Sequence, residues 1–420
     1  MPEKVSSEGG GQRRRLPRVK LQDRSWIYLA VFARSLATGM IGVLLGVHLA
    51  TLQLPPAAIG IVIGAGLGGA TLATTIVTFG SSRFGPRRAL LVIATFTVLG
   101  AGLLATFTTP WALALAAFIG MANGMGRDRG AALVVEQAAL PATTRDANRT
   151  MAFAQYNVLQ DVGHALGSLL ATLPALLEAG MKMSAPASHQ ASIWIYAALC
   201  AIPLLAYSRL GPAIDSVRPP KQLRLAPASR HTLLKISGLF AIDSVGGGFL
   251  TTSLLAYFFY ERFGVSAGEI GVLFFIARLA NAGSHFAAAW LARRIGLVNT
   301  MVFTHIPSSL LLLTVPFMPD FETAALLFLL RESLVEMDVP TRQSYVMAVV
   351  RAEERTFASG VTHLVRLAGW AVAPAFAGLL MSGQSLAVPI YVGAGMKIFY
   401  DLALWRAFRH VRPPEERAPG

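Results

Sequence analysis

Long apolar runs separated by short polar breaks recur from one end of the chain to the other. A helix needs about 20 mainly apolar residues to cross the hydrocarbon core of a bilayer. The runs predict helices at roughly 26–50, 57–80, 89–107, 111–140, 150–177 and 192–208. A second set is predicted at roughly 233–259, 269–290, 297–317, 323–350, 356–381 and 386–406. Turn-forming stretches mark the cuts: LPP at 54–56, SSRFGPRR at 81–88, TTP at 108–110, FMPD at 317–320 and SGQS at 382–385. Runs above about 25 residues imply tilt, kinks or extension beyond the bilayer. The pattern predicts an all-α membrane protein with twelve transmembrane helices.

Composition agrees, with 54% hydrophobic residues and 14% charged ones, where soluble domains carry about 25% charged residues. The first apolar run, from Trp26 to about Ala50, is too long for a signal peptide and is expected to remain as a membrane helix. The net charge of +14 is not a nucleic-acid footprint. The loop lysines and arginines fall almost entirely on one side, with Lys182 and Arg262 opposite. The positive-inside rule then places both termini in the cytoplasm. Cys200 is the one cysteine, so no intrachain disulfide or cysteine metal cluster forms. His48, His164, His285, His305 and His363 lack metal-ligand spacing, and no metal or cofactor is expected. No nucleophile–base set stands out, so the chain does not read as an enzyme.

The chain repeats itself. Ile59-Gly60, Arg83 and Gly85 recur 211 residues later as Ile270-Gly271, Arg294 and Gly296. TMAFAQYNVLQDVG (150–163) aligns without a gap on TFASGVTHLVRLAG (356–369). Two pseudo-symmetric six-helix halves, 26–208 and 233–406, are therefore expected, with a basic linker at 209–232. A basic N-tail (1–25) and a C-tail (407–420) complete the division. Parallel repeats of this kind are a transporter architecture with the solute site at the interface.

With its twelve spans, two halves and long central loop, the whole chain resembles the major facilitator superfamily. The loop GSSRFGPRR is similar to that family's G-x-x-x-D-R-x-G-R-R signature, matched at Arg83, Gly85, Arg87 and Arg88. Ser82 stands where the family has Asp, and Thr78 where it has the first Gly. The resemblance implies that this Asp latches the two halves, a role serine does not supply. Drug–proton antiporters of the family carry an arginine four residues before a G-x-G in the fourth helix. Here Gly120 occupies that place before Gly124 to Gly126. The resemblance also implies that helices one, four, seven and ten line the cavity, while three, six, nine and twelve face lipid.

Ionisable residues gather accordingly. Helix one has Arg34 and helix seven Asp243; helix four has Arg127, Asp128, Arg129 and Glu136. Helix ten has Arg331, Glu332, Glu336, Asp338 and Arg342; helices five, eight and eleven have Asp161, Arg278 and Arg366. A charge at a helix centre costs about 2.5–3.5 kcal/mol even on a lenient scale, so these groups must face protein or a water-filled cavity. The set is seven positive and seven negative, which favours ion pairs over a cavity of one sign. Lys397 and Asp401 in helix twelve are spaced to satisfy each other.

Arg34, Asp128, Asp243, Glu332 and Glu336 are the candidate substrate or coupling residues. Arg34 and Asp243 could meet across the halves or hold opposite ends of a solute. Glu332 and Glu336 share a helix face, which favours a protonatable acid there unless a cation intervenes. Asp161, Asp338, Arg342 and Arg366 are candidates for gating or charge pairs; Pro340 would kink helix ten beside Asp338. Arg331 lies about 100° around the helix from Glu332, which leaves its pairing open, while Arg127 and Arg129, flanking Asp128, are expected to point elsewhere. The glycines of NGMGRDRG (123–130) and SVGGGF (244–249) read as sites of kinks and close packing.

These features lead to a secondary transporter of a small organic solute, working by alternating access. Proton-coupled export is the first reading, in a monomer of a bacterial inner membrane. The second is an uptake symporter or facilitator whose arginines hold an anionic metabolite. A third is a non-transporting receptor or scaffold on the same fold.

Overall fold

A computed structural model describes residues 21–144, 148–216, 227–339, 341–342 and 355–408. Almost all of the basic N-tail, the middle of the linker, the C-tail and Pro340 lie outside them. The chain opens with α1 (Leu21–Thr51), α2 (Pro56–Phe84), α3 (Pro86–Thr106), α4 (Pro110–Gly120) and α5 (Ala131–Ala139). It continues with α6 (Arg149–Leu170), α7 (Leu173–Met181), α8 (Ala185–Ser208), α9 (Pro227–Phe249) and α10 (Thr252–Phe263). The last helices are α11 (Ala267–Ile295), α12 (Leu297–Thr314), α13 (Phe321–Val335), α14 (Arg355–Gly383) and α15 (Val388–Phe408). Among the described residues, nine helical spans are long and apolar enough to cross a membrane, with two shorter apolar helices besides.

Proline and glycine set several boundaries. Pro56, Pro86 and Pro110 each open a helix, where a missing N–H costs nothing. Gly85 joins α2 to α3 at φ 71°, a backbone angle that disfavours a side chain. α1 forms the centre, burying Ile27, Val31, Met40, Leu44 and Leu45. It packs on α6, α8 and α10, while α2 packs along α14 and α6 along α11. α9 lies against α14 and α15, and α12 against α13 and α15. α3 turns Val92, Phe96 and Leu99 outward, as a lipid-facing helix must.

Besides the short turn between Leu170 and Leu173 in the run 150–177, three of the long predicted helices are broken. The run 111–140 is split by non-helical backbone over 121–130, with positive φ at Met121 (52°) and Gly126 (65°). The run 233–259 is split between Phe249 and Thr252. In the run 323–350, α13 stops at Val335 and residues 336–337 form a turn before Asp338. The first two breaks meet. Ser253 donates its backbone N–H to the Gly124 carbonyl at 3.0 Å, and Thr252 Oγ1 donates to the Met125 carbonyl at 2.8 Å. The second break thus supplies donors for carbonyls freed by the first, which irregular backbone at membrane depth requires. A periodicity argument misses such breaks, because hydrophobicity runs straight through them.

Close backbone contacts join the segments before and after the linker. A Cβ on Gly46 would lie 2.1 Å from the Ser253 carbonyl oxygen, and one on Gly60 would lie 2.3 Å from that of Pro374. Gly378 stands against the Gly60 Cα, and Ser382 Oγ accepts the Ala57 N–H at 2.9 Å. These contacts gather where α1 and α14 end and α2 begins.

Candidate functional site

The membrane charges form two groups. In the first, Arg34 of α1 forms ion pairs with both Asp128 and Glu136. Glu136 is fully buried and also accepts Tyr156 Oη–H at 2.7 Å and Tyr207 Oη–H at 2.6 Å. The backbone N–H of Asp128 donates to His164 Nε2 at 2.9 Å, and Gln160 donates to the Asp128 carbonyl at 3.0 Å. His164 therefore serves the broken backbone. Every polar contact of this knot is made among α1, the 121–130 segment, α5, α6 and α8.

The second group surrounds a cavity of about 120 Å³. Asp243 of α9 is its central acid, with Lys397 Nζ at 2.9 Å and guanidinium nitrogens of Arg342 and Arg366 each at 3.5 Å. Arg342 also pairs with Asp338, and Arg127 reaches Glu336 at 2.9 Å. Glu332 takes an ion pair from Arg331 and a hydrogen bond from Asn281 Nδ2 at 2.8 Å. Beyond the Lys397 ammonium, His305 Nε2 lies 3.4 Å away, and His305 Nδ1 is 2.9 Å from Asp401.

Several expectations change. Arg34 and Asp243 do not meet, because each is held by charges of its own group. Glu332 and Glu336 are not bare neighbours: a cation sits on each. Arg331 does bond its sequence neighbour, since a long guanidinium side chain can curl back across the turn where the helix ends. Arg127 turns to Glu336 because its backbone is not helical. Lys397 and Asp401 do not pair with each other; α15 presents both to the bundle interior, where Lys397 finds Asp243 and Asp401 finds His305. Asp161 stands on an exposed face of α6 and has no ion pair among the described residues, so the charge-pair role expected for it has no partner here. Asp338–Arg342 is the i,i+4 pair that the spacing foresees.

The loop signature has a different anchor. Asp215, just after α8, accepts the Arg87 backbone N–H at 2.8 Å, and the Arg87 guanidinium donates to the Ser208 carbonyl at 3.0 Å. A side chain on Gly85 would collide with Asp215. A carboxylate 128 residues from Arg87 thus fastens this loop. The side chains of Ser82 and Arg83 lie outside the described residues, and Arg88 is exposed.

Charge is not evenly divided between the groups. The cavity is lined by Arg127, Arg129, Arg278, Arg331, Arg342, Arg366 and Lys397, against Asp243, Glu332, Glu336 and Asp338. Among the described residues, seven cations against four acids leave an excess of three positive charges. The overall balance of the bundle charges conceals this, because Asp128 and Glu136 are both spent on Arg34, Asp161 stands outside the lining and Lys397 joins it. Two of the cations have no carboxylate within ion-pair distance among the described residues. Arg129 lies over the Trp370 ring at 5.1 Å. Arg278 donates to Thr252 Oγ1 at 3.1 Å and to the Met125 carbonyl at 3.4 Å. No group of His, Cys, Asp or Glu able to hold a metal occurs among the described residues.

A multi-pass helical bundle with an ion-paired cavity at the meeting of broken helices defines a membrane transport protein. The chain belongs to the major facilitator superfamily, whose sequence profile matches residues 27–335; it is a transporter rather than an enzyme. A Saccharomyces cerevisiae protein described as "Uncharacterized membrane protein YJR124C" is 23% identical over 418 residues, covering 91% of this chain and 93% of that one. That relative lends no support to a bacterial inner membrane as the location. Among solved structures, the nucleoside transporter NupG superposes with a TM-score of 0.72 at 16% identity, covering 93% of this chain and 99% of its own. A bacterial homolog of the human lysosomal transporter Spinster, inward-facing and unoccupied, gives a TM-score of 0.70 at 16% identity, with 95% and 99% covered.

Proposed function

We propose that the chain is a secondary transporter that carries a small organic anion by alternating access between two six-helix halves. The halves are 26–208 and 233–406, giving twelve spans with both termini in the cytoplasm. The single observation that carries the choice of solute is the three-charge excess among the described residues of the cavity lining, with Arg129 and Arg278 free of any carboxylate partner among those residues. A guanidinium presents paired N–H donors that match a carboxylate or phosphate. Leaving it unpaired away from water is costly, and an anionic occupant removes that cost. Of the readings the sequence permits, the anionic solute held by bundle arginines is the one this cavity favours.

Every acid that lines the cavity already holds a cation. A proton arriving at Asp243, Glu332 or Glu336 has to displace that cation, which makes these acids partners in pair exchange rather than free proton carriers. The test is a thermal-shift screen of the purified protein against anionic, neutral and cationic organic solutes at two pH values. Anions should stabilise the protein. Arg129→Gln and Arg278→Gln should each weaken binding about tenfold to a hundredfold, the worth of a charged hydrogen bond. Stabilisation by neutral or cationic solutes alone, unchanged in both variants, would overturn the reading.

A further inference from the structure

The chain Asp243–Lys397–His305–Asp401 runs inward from the cavity, and the scheme above makes no use of its inner half. Asp243, Lys397 and His305 line the cavity, whereas Asp401 is fully buried behind them. We propose that His305, clamped between Asp401 and Lys397, is a proton-binding site of the transporter, and that its occupancy decides whether Lys397 is shared or held by Asp243 alone.

The geometry constrains the proton positions. His305 Nδ1 lies 2.9 and 3.0 Å from the two Asp401 oxygens. A ring nitrogen facing a carboxylate must carry a hydrogen. His305 Nε2, 3.4 Å from the Lys397 ammonium, can then only accept, so the ring is neutral in this arrangement. When a proton from cavity water binds Nε2, the ring becomes a cation and Nε2 turns from acceptor to donor. Lys397 loses that acceptor, is repelled, and keeps Asp243 at 2.9 Å. Loss of the proton to cavity water reverses the step. No other atom changes hands.

The surroundings permit both states. α15 supplies Asp401, Lys397 and the Tyr400 ring, 6.4 Å from the His305 ring between centroids. Asp243 is backed by Arg342 and Arg366, and Arg342 by Asp338. Arg331 and Glu332 of α13 satisfy each other, and α11 brings no charged group within hydrogen-bond distance of His305 among the described residues. With a neutral ring, the linked acids Asp243, Asp338 and Asp401 balance Lys397, Arg342 and Arg366. The added proton leaves one net positive charge beside the cavity, so proton and anion should favour each other's entry. Only that last point depends on the solute being an anion; the proton site stands without it.

The test needs no solute. Full-length protein labelled with 15N-histidine, in phosphatidylcholine–phosphatidylglycerol nanodiscs, is followed by NMR across the range where histidine titrates, about pH 5 to 8. One ring should gain a proton at Nε2 while its Nδ1 proton stays bonded, and His305→Gln should remove that signal. Asp401→Asn should displace the step by about one pH unit or more towards acid, as loss of a contacting opposite charge does. Lys397→Gln should displace it towards alkali, and decides the matter alone if Asp401→Asn does not fold. A His305 ring that keeps one protonation state throughout, or a step that ignores the available partner substitutions, would overturn the proposal. An anion screen that fails while this titration holds would reject the solute and spare the proton site.

Discussion

Glu136 shows how a single residue can be indispensable without touching the cavity. It gathers Arg34, Tyr156 and Tyr207 in a fully buried place. Removing one partner from such a knot strands the other charge, which costs about 3–5 kcal/mol. Glu136→Ala should therefore unfold far below the wild type, whereas Tyr156→Phe or Tyr207→Phe should cost about 1.5–3 kcal/mol each; thermal unfolding in detergent distinguishes them. At the bundle edge, Asp320 opens α13 by accepting the Thr323 backbone N–H at 2.8 Å. That hydrogen bond holds its carboxyl below the ordinary carboxylate value. Its contribution is thus present above the unfolded value and is lost as pH falls through the lower folded one. Asp320→Asn should flatten the acid limb of the stability curve.

At the scale of elements, the breaks matter most. Gly126 adopts φ 65°, and a Cβ there would stand 2.9 Å from an Arg278 guanidinium nitrogen. Gly126→Ala combines about 1–2 kcal/mol of backbone strain with displacement of that guanidinium, and should weaken anion binding in the thermal-shift screen. Helix ten yields a second prediction. Arg342 serves Asp338 and Asp243 together, so the charge swap Asp338→Arg with Arg342→Asp places a carboxylate beside Asp243. The swap should fail to restore the thermal midpoint lost in either single variant; full recovery would mean a self-contained pair. Nine membrane-length spans among the described residues were legible, because about 20 apolar residues have one physical use in this setting. The i,i+4 pair Asp338–Arg342 was legible for the same reason, being a local spacing. The directions of Arg127, Arg129 and Lys397 were not. Helical angles do not hold across 121–130, and α15, a lipid-facing helix by resemblance, carries a polar face that the resemblance does not reveal.

The whole molecule is fastened along a seam of backbone against backbone. Gly46 meets Ser253 and Gly60 meets Pro374 with no room for a methyl group. Gly46→Ala or Gly60→Ala should wedge that end apart and shift the population towards the opposite conformation. Maleimide labelling of single cysteines from the two membrane faces, in a Cys200→Ser background, measures the shift. Unchanged labelling in both variants would make the seam mere packing. The uneven lining of the cavity has an electrical corollary. If the cavity opens alternately to each side, its three surplus charges experience first one bulk potential and then the other, although the side chains scarcely travel. One charge crossing 100 mV is worth about 2.3 kcal/mol, so the empty carrier's return could sense up to about 7 kcal/mol per 100 mV on the same scale. A bound dianion leaves one charge uncompensated. Voltage should therefore grip the unloaded step hardest, and transient currents on a supported membrane should shrink when the solute is present.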